Sequence, residues 1–107
     1  MKRYASVINL KPELIESYKH SHANTWPQVL ATITACNIRN YSIFIHGNTL
    51  FSYFEYVGDD YETDTARMGE DKVTQAWWAV CRPMQQPVPE AGPGEWWHAI
   101  EAVFHLD

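Results

Sequence analysis

The chain has 107 residues, of which 46% are apolar and 20% charged, a composition typical of one compact globular domain rather than of a disordered segment. Its 13 acidic and 8 basic residues give a net charge of −5, and the basic residues are scattered, so neither nucleic-acid binding nor a membrane-surface role is expected. Aromatic residues reach 14%, more than so small a core needs, so some rings are expected to remain accessible in a pocket or at an interface.

The N-terminal part of the chain predicts a strand and a helix. The run from Arg3 to Leu10 is rich in β-forming residues and predicts the first strand. Pro12, a residue well suited to the first helical position, predicts that a helix follows. Residues spaced by four along this helix share one face, and they are Leu14, Tyr18 and His22.

A second helix is predicted after a break at residues 24–26. Thr25 is expected to cap it, Pro27 is tolerated in its first turn, and Gln28 is expected to complete a capping box. Its apolar stripe is expected to consist of Val29, Leu30, Ile33 and Cys36.

The middle of the chain predicts a β-hairpin. Strand-like runs over Tyr41–His46 and Leu50–Val57 are joined by Gly47-Asn48, a sequence typical of a hairpin turn. Apolar side chains fall on both faces of these runs. A sheet that is apolar on both sides must be covered on both sides.

The C-terminal half predicts two helices, a loop and a last strand. Residues 61–69 predict a short polar helix, and Asp71 to Met84 predict the clearest helix of the chain. Three prolines and two glycines make residues 85–94 a loop. The alternating pattern from Trp97 to Leu106 predicts a last strand. The stripe of the clearest helix is expected to be Val73, Trp77, Val80, Cys81 and Met84.

This order of elements predicts the fold class. A strand, helices, a hairpin, helices and a strand match a single ferredoxin-like α+β domain over residues 1–107, with an antiparallel sheet and helices on one face. Because the helices cover only one face, we expect a second copy of the chain to cover the other. The sequence therefore predicts a homodimer joined through sheet faces.

The cysteines and the motifs of the chain indicate its cellular compartment and whether it binds a cofactor. Cys36 and Cys81 match no zinc or redox spacing and are expected to be free thiols of a cytoplasmic protein. No apolar run approaches the roughly 20 residues of a membrane-spanning helix. Neither a glycine-rich phosphate loop nor a metal-ligand cluster stands out, so no nucleotide, metal or other cofactor is expected.

His22 is the first candidate for chemistry. An imidazole gains or loses a proton near neutral pH, as general acid–base catalysis requires. It lies near the end of a predicted helix beside a sheet, a usual place for a pocket wall. A structural interpretation is also open, in which His22 only hydrogen-bonds the last helical carbonyls.

Several aromatic residues are candidates for ligand contact. Trp77 lies on the apolar stripe and Trp78 at its edge, where an indole can pack against the C–H face of a sugar; both could equally be core or interface residues. The Tyr41 hydroxyl could bond a sugar hydroxyl, or the residue could serve only as a β-former. Trp96 and Trp97 could cover a pocket mouth or anchor the last strand.

Four segments, in order over nearly the whole chain, resemble the L-rhamnose mutarotase family. Each segment alone is weak, and all four in register are specific. They are Tyr18-x-x-x-His22-x-x-x-Trp26-Pro27, Asn40-Tyr41-Ser42-Ile43, Trp77-Trp78 and Glu101-Ala102-Val103-Phe104-His105-Leu106.

The resemblance implies a dimeric α/β-barrel of two ferredoxin-like subunits. It also implies an enzyme without a cofactor that interconverts the α and β anomers of L-rhamnose or a related deoxysugar. His22 would be the proton donor, and the sugar-binding residues would be Tyr18, Tyr41, Trp77 and Trp78. The base is open between Tyr18, Glu101 and a bound water.

Two departures from the family pattern bear on the substrate. Gln28 stands where family members often carry Glu, so an acidic role there is not expected. The loop before Trp96 is longer than in the rhamnose enzymes, which makes L-fucose an alternative substrate. Two other functions are open on this architecture: a cofactor-free monooxygenase acting on an aromatic substrate, and a non-catalytic dimer that binds a small ligand.

Overall fold

The computed structural model describes residues 1–107 as one antiparallel sheet with helices between its strands. The strands are β1 (Lys2–Leu10), β2 (Ile38–His46), β3 (Thr49–Tyr56), β4 (Gln85–Gln86) and β5 (His98–Ile100). The helices are α1 (Ile15–Ala23), α2 (Pro27–Ala35), α3 (Tyr61–Glu70) and α4 (Lys72–Cys81), with 3₁₀ turns at Pro12–Leu14 and Arg82–Met84. No helix is both long and apolar enough to cross a membrane.

The order of strands in the sheet confirms the predicted α+β class. The sheet runs β2-β3-β1-β4, and every pairing is antiparallel. On the edge of β1 away from β3, β4 pairs with Asn9 and Leu10, and β5 pairs with residues 5–7. Two short strands thus share the fourth position of a ferredoxin-like sheet, separated by the loop of residues 87–97.

The predicted last strand, Trp97–Leu106, is wrong over most of its length. Only His98–Ile100 pairs with β1, and residues 101–107 form no regular structure. Val103, Phe104 and Leu106 are 80–90% exposed. An alternating pattern gives a segment strand propensity but does not by itself pair it, and residues 101–107 leave the edge of β1 at Lys2–Tyr4 unpaired on this side.

The helices and the core lie on one face of the sheet, as predicted. The core unites sheet residues with α1, α2 and α4, and its buried members are Ile8, Leu10, Tyr18, Val29, Leu50, Trp77, Cys81 and Met84. On the opposite face Phe44 and Phe51 are directly paired and remain 65% and 39% exposed. The sheet is therefore apolar on both sides and covered on one.

The expected capping box of the second helix is wrong. Trp26 is the N-cap of α2, and its side chain makes no capping hydrogen bond. The Thr25 hydroxyl instead donates to the His22 carbonyl oxygen at 3.0 Å, where α1 ends. The Thr25 hydroxyl therefore closes the preceding helix, and Gln28 has no capping partner.

Two members of the expected apolar stripes lie outside the core. Leu30 on α2 is 51% exposed and Val80 on α4 is 42% exposed. Their neighbours Val29 and Cys81 are buried as expected. The sheet buries a narrower arc of each helix than the apolar stripe covers.

A bulge in β2 decides which side chains face the helices. Ile38 lies opposite the buried Tyr56, whereas Ile43 lies opposite the buried Ser52, so the inward positions change from even to odd numbers along the strand. The register shifts between Arg39 and Ser42. Asn40 absorbs the extra residue with a φ of +50°, a conformation that Asn tolerates better than most residues.

The strain at the bulge can be measured with two substitutions. Asn40→Ala and Asn40→Gly both remove the hydrogen bond from the Asn40 amide to the Glu55 carboxylate, but only Ala places a β-carbon on a left-handed backbone. We expect the free energy of unfolding of Asn40→Ala to fall below that of Asn40→Gly by about 1 kcal/mol. Urea denaturation measures the difference, and an Ala variant as stable as the Gly variant would contradict it.

Candidate active site

A cavity of about 890 Å³ opens between the inner face of the sheet and the helices. All five residues predicted to act on a sugar line it, and they are Tyr18, His22, Tyr41, Trp77 and Trp78. Residues from α1, β2 and α4 thus meet at one place. Trp77 is 7% exposed and also belongs to the buried core, so it lines the cavity with only a small part of its ring.

Tyr18 and His22 form a close pair on α1. They lie one helical turn apart, and their rings stack with centroids 3.9 Å apart and planes 20° apart. The Nδ1 atom of His22 lies 3.1 Å from the Tyr18 carbonyl oxygen. Because a carbonyl oxygen only accepts, Nδ1 carries the hydrogen, and Nε2 is left without a partner in the protein.

The surroundings of His22 favour the neutral imidazole. Burial lowers its pKa below the ordinary histidine value, and the hydrogen bond to the Tyr18 carbonyl opposes this shift. Trp77 is one of the rings beside it, with its centroid 5.3 Å from that of His22. A neutral imidazole with Nδ1 protonated presents the lone pair of Nε2, which can take a proton from a ligand.

The hydroxyl and thiol groups around His22 keep their protons. Burial raises the pKa of Tyr18 well above its usual range and that of the Cys81 thiol to about 11. Tyr41 lines the cavity and is 42% exposed. Desolvation nevertheless raises its pKa to about 12. Tyr18 and Tyr41 are therefore neutral hydroxyls that can donate and accept hydrogen bonds.

An aromatic wall forms the side of the cavity next to Tyr41. Tyr4 stacks on Tyr61 with centroids 4.4 Å apart, and Phe54 lies 5.3 Å from Tyr4 and 5.5 Å from Tyr41. Sequence reasoning missed Tyr4, Phe54 and Tyr61 as lining residues. Tyr4 and Phe54 have the same parity as the buried Ile8 and Leu50 on their strands, a signal that could have placed both on the inner face. Nothing along the chain places α3, which carries Tyr61, beside them.

Gln85 is a second lining residue that the sequence did not indicate. It begins β4, is buried, and its amide oxygen accepts a hydrogen bond of 2.7 Å from the indole N–H of Trp96. Trp96 and Trp97 both line the cavity, which agrees with the pocket interpretation of this pair. A glutamine in a proline-rich loop gave no signal of burial.

Glu101, one of the three candidates for the base, is not brought to the site. It lies in the exposed segment after β5 and does not line the cavity. Nowhere in the molecule do three His, Cys, Asp or Glu side chains converge in a way that could hold a metal ion.

The fold and the cavity together define a class of protein: a ferredoxin-like α+β sheet whose helix-covered face encloses an aromatic pocket with one histidine. Within this class the chain belongs to the L-rhamnose mutarotase family, whose sequence profile matches residues 3–106.

Individual relatives agree with this assignment. The chain is 30% identical to an L-rhamnose mutarotase of Bacillus subtilis over 100% of both chains. It is 32% identical to an L-fucose mutarotase of Xanthomonas campestris, covering 99% of this chain and 89% of the relative. The crystal structure of an L-rhamnose mutarotase from Formosa agariphila shares the fold, with a TM-score of 0.78 at 22% identity and 100% coverage of both chains.

The lowered pKa of His22 is directly testable. We expect its imidazole resonance to titrate below about 6.5 in the folded protein, and the same histidine in the urea-unfolded chain to titrate at about 6.5. Since the unfolded state then binds more protons, His22 lowers the free energy of unfolding as the pH falls through this range. NMR titration of both states measures the shift, and a folded value at or above the unfolded one would refute it.

Proposed function

We propose that the protein is a mutarotase that interconverts the α and β anomers of a 6-deoxyhexose such as L-rhamnose or L-fucose. The observation that carries this proposal is the Tyr18–His22 pair on the wall of an aromatic cavity. The family to which the chain belongs and the named activities of its relatives support it.

The reaction needs two proton transfers and no redox step. The pyranose ring opens when the proton of the anomeric hydroxyl is removed and the ring oxygen is protonated. The ring then closes on the other face of the aldehyde with the two transfers reversed. A site that supplies one proton acceptor and one proton donor, with room for the ring to turn, is sufficient.

His22 is assigned the acid–base role. The family resemblance implies His22 as the proton donor, but its lowered pKa favours the neutral imidazole, so we assign it the base in ring opening. Nε2 then takes the proton of the anomeric hydroxyl during opening, and the imidazolium donates it back during closing. One nitrogen thus acts as base and as proton donor in the two halves of the reaction. The proton for the ring oxygen comes from a neutral group in the cavity, for which Tyr18 and a bound water are the candidates.

The aromatic residues are assigned the binding of the sugar. Trp77 and Trp78 offer apolar surfaces to its C–H face, and the Tyr18 and Tyr41 hydroxyls offer hydrogen bonds to its polar edge. The polar Tyr18–His22 pair favours a hydroxylated ring over the aromatic substrate of the monooxygenase alternative.

Anomer exchange measured by saturation-difference NMR tests the activity and the role of His22. We expect acceleration above buffer for L-rhamnose or L-fucose, with D-glucose as the comparison sugar. His22→Ala is expected to lose about 10²- to 10⁴-fold because the acid–base group is gone. His20→Ala, an exposed histidine of the same helix, is the matched control and keeps the wild-type rate.

Two results would contradict these assignments. Exchange of none of these sugars above the buffer rate would remove the mutarotase function. Wild-type exchange by a folded His22→Ala variant would move the acid–base role to another residue.

The proposed functional unit is a homodimer joined through the outer faces of the sheets. Phe44 and Phe51 are exposed on that face, and the exposed segment after β5 adds Val103, Phe104 and Leu106. Burying these side chains between two copies removes apolar surface from water, which favours association. The proposed compartment is the cytoplasm, where the buried free thiols of Cys36 and Cys81 stay reduced.

Light scattering tests the dimer. At micromolar concentration we expect twice the mass of one chain, and Phe44→Glu is expected to shift the mass toward one chain because it places a charge in the apolar contact. Lys72→Glu, an exposed position at the start of α4 on the helical side of the molecule, is the control and leaves the mass unchanged. A monomeric wild-type protein at that concentration would overturn the proposal.

A further inference from the structure

A chain of hydrogen bonds joins the loop before β5 to Tyr18. The indole N–H of Trp96 donates to the amide oxygen of Gln85 at 2.7 Å. The amide nitrogen of Gln85 donates to the Tyr18 hydroxyl oxygen at 3.4 Å, a long hydrogen bond in a buried setting. All three side chains line the cavity, and Gln85 is 6% exposed.

The direction of these bonds follows from the chemistry of their ends. An indole N–H only donates, so the Gln85 amide must turn its oxygen toward Trp96 and its nitrogen toward Tyr18. The Tyr18 oxygen therefore accepts from Gln85. Its own hydrogen is not used in this bond and is free for another acceptor.

Gln85 and the loop that carries Trp96 are both held by backbone hydrogen bonds. Gln85 lies opposite Leu10 in the short pairing of β4 with β1. Next to Trp96, the Glu95 carboxylate accepts hydrogen bonds from the backbone N–H groups of Gly92 and Ala99 and contacts the His98 ring at 2.8 Å. The loop thus fixes Trp96 and, through it, the orientation of the Gln85 amide.

We propose that Gln85 and Trp96 are positioning residues that hold the Tyr18 hydroxyl as a hydrogen-bond donor to the bound sugar. The inference rests on the mutarotase function proposed above. The cavity then presents an acceptor at His22 Nε2 and a donor at Tyr18, one helical turn apart. Ring opening needs one acceptor and one donor. The orientation of the Gln85 amide therefore decides that Tyr18 is the donor, an arrangement of donor and acceptor that we call the polarity of the site.

Few charges around Tyr18 change with pH. The titratable groups facing it are His22 on its own helix, Cys81 on α4 and Tyr41 on β2. The raised pKa values of Cys81 and Tyr41 leave both groups neutral near pH 7, so His22, whose pKa is lowered by burial, is the group whose charge changes as the pH falls. Any further pH dependence in a Gln85 variant comes from the substituted side chain.

Gln85→Glu replaces the amide that donates to Tyr18 by a carboxylate of almost the same shape, which reverses the direction of this hydrogen bond. A carboxylate only accepts, so the Tyr18 hydrogen turns toward Glu and is lost to the sugar. We expect kcat for anomer exchange to fall about tenfold at neutral pH. The ratio of variant to wild-type rate should rise as the pH falls, because a protonated carboxyl can again donate to Tyr18.

Three further variants separate polarity from packing. Gln86→Glu adds the same charge at the exposed neighbouring position and should keep the wild-type rate. Trp96→Phe keeps a ring but removes the indole donor, and a several-fold loss of kcat is expected even if Gln85→Glu does not fold. In a Tyr18→Phe background, Gln85→Glu should cost nothing more, because Gln85 acts through Tyr18.

The outcomes decide the inference separately from the function. Wild-type rates in Gln85→Glu or Trp96→Phe, or a loss in Gln85→Glu that does not lessen at lower pH, would overturn it. An additive loss in the Tyr18→Phe background would overturn it as well. If the wild-type protein exchanges no anomers, the proposed function fails. In that case the affinities of the same variants for L-rhamnose and L-fucose, measured by tryptophan fluorescence, decide whether Tyr18 donates a hydrogen bond to the sugar.

Discussion

The cavity depends on one irregularity in the sheet, the extra residue in β2. Alternation along a strand is strict, so without the bulge Ile38 and Ile43 would point to opposite faces. With Asn40 in a left-handed conformation, both ends of β2 present side chains to the helices, and Tyr41 joins the cavity wall. The unfavourable backbone conformation of Asn40 therefore brings the Tyr41 hydroxyl into the site.

The chemistry of the site comes from what surrounds a single helical turn. The spacing of four residues lets Tyr18 and His22 meet, and burial, with Trp77 among the neighbours, lowers the pKa of the imidazole and favours its neutral form. The Tyr18 carbonyl then fixes which ring nitrogen is free. Aromatic residues thus supply both the core of a small protein and the low-dielectric surroundings that tune its titratable group.

Sequence patterns predicted the structure correctly where it depends on interactions between residues close together in the chain. The four-residue spacing of Tyr18 and His22 and the turn at Gly47-Asn48 depend on neighbours along the chain, and the structure shows both as expected. The capping box failed because the Thr25 hydroxyl had two possible partners and bonds the His22 carbonyl of the preceding helix. The prediction of the last strand failed beyond Ile100 because alternation gives strand propensity without fixing a partner: the edge of β1 continues from Tyr4 to Lys2, and residues 101–107 do not pair with it.

The sequence by itself determined the class of the fold, the five candidate residues and the family resemblance, since these follow from periodicity and from motifs in order along the chain. Only the tertiary structure decided that Tyr4, Phe54 and Tyr61 build one wall and that Gln85 connects Trp96 to Tyr18. Gln85 and Tyr18 are 67 positions apart. A hydrogen bond between such distant residues leaves no periodic trace, because its partners are chosen by the packing of whole elements.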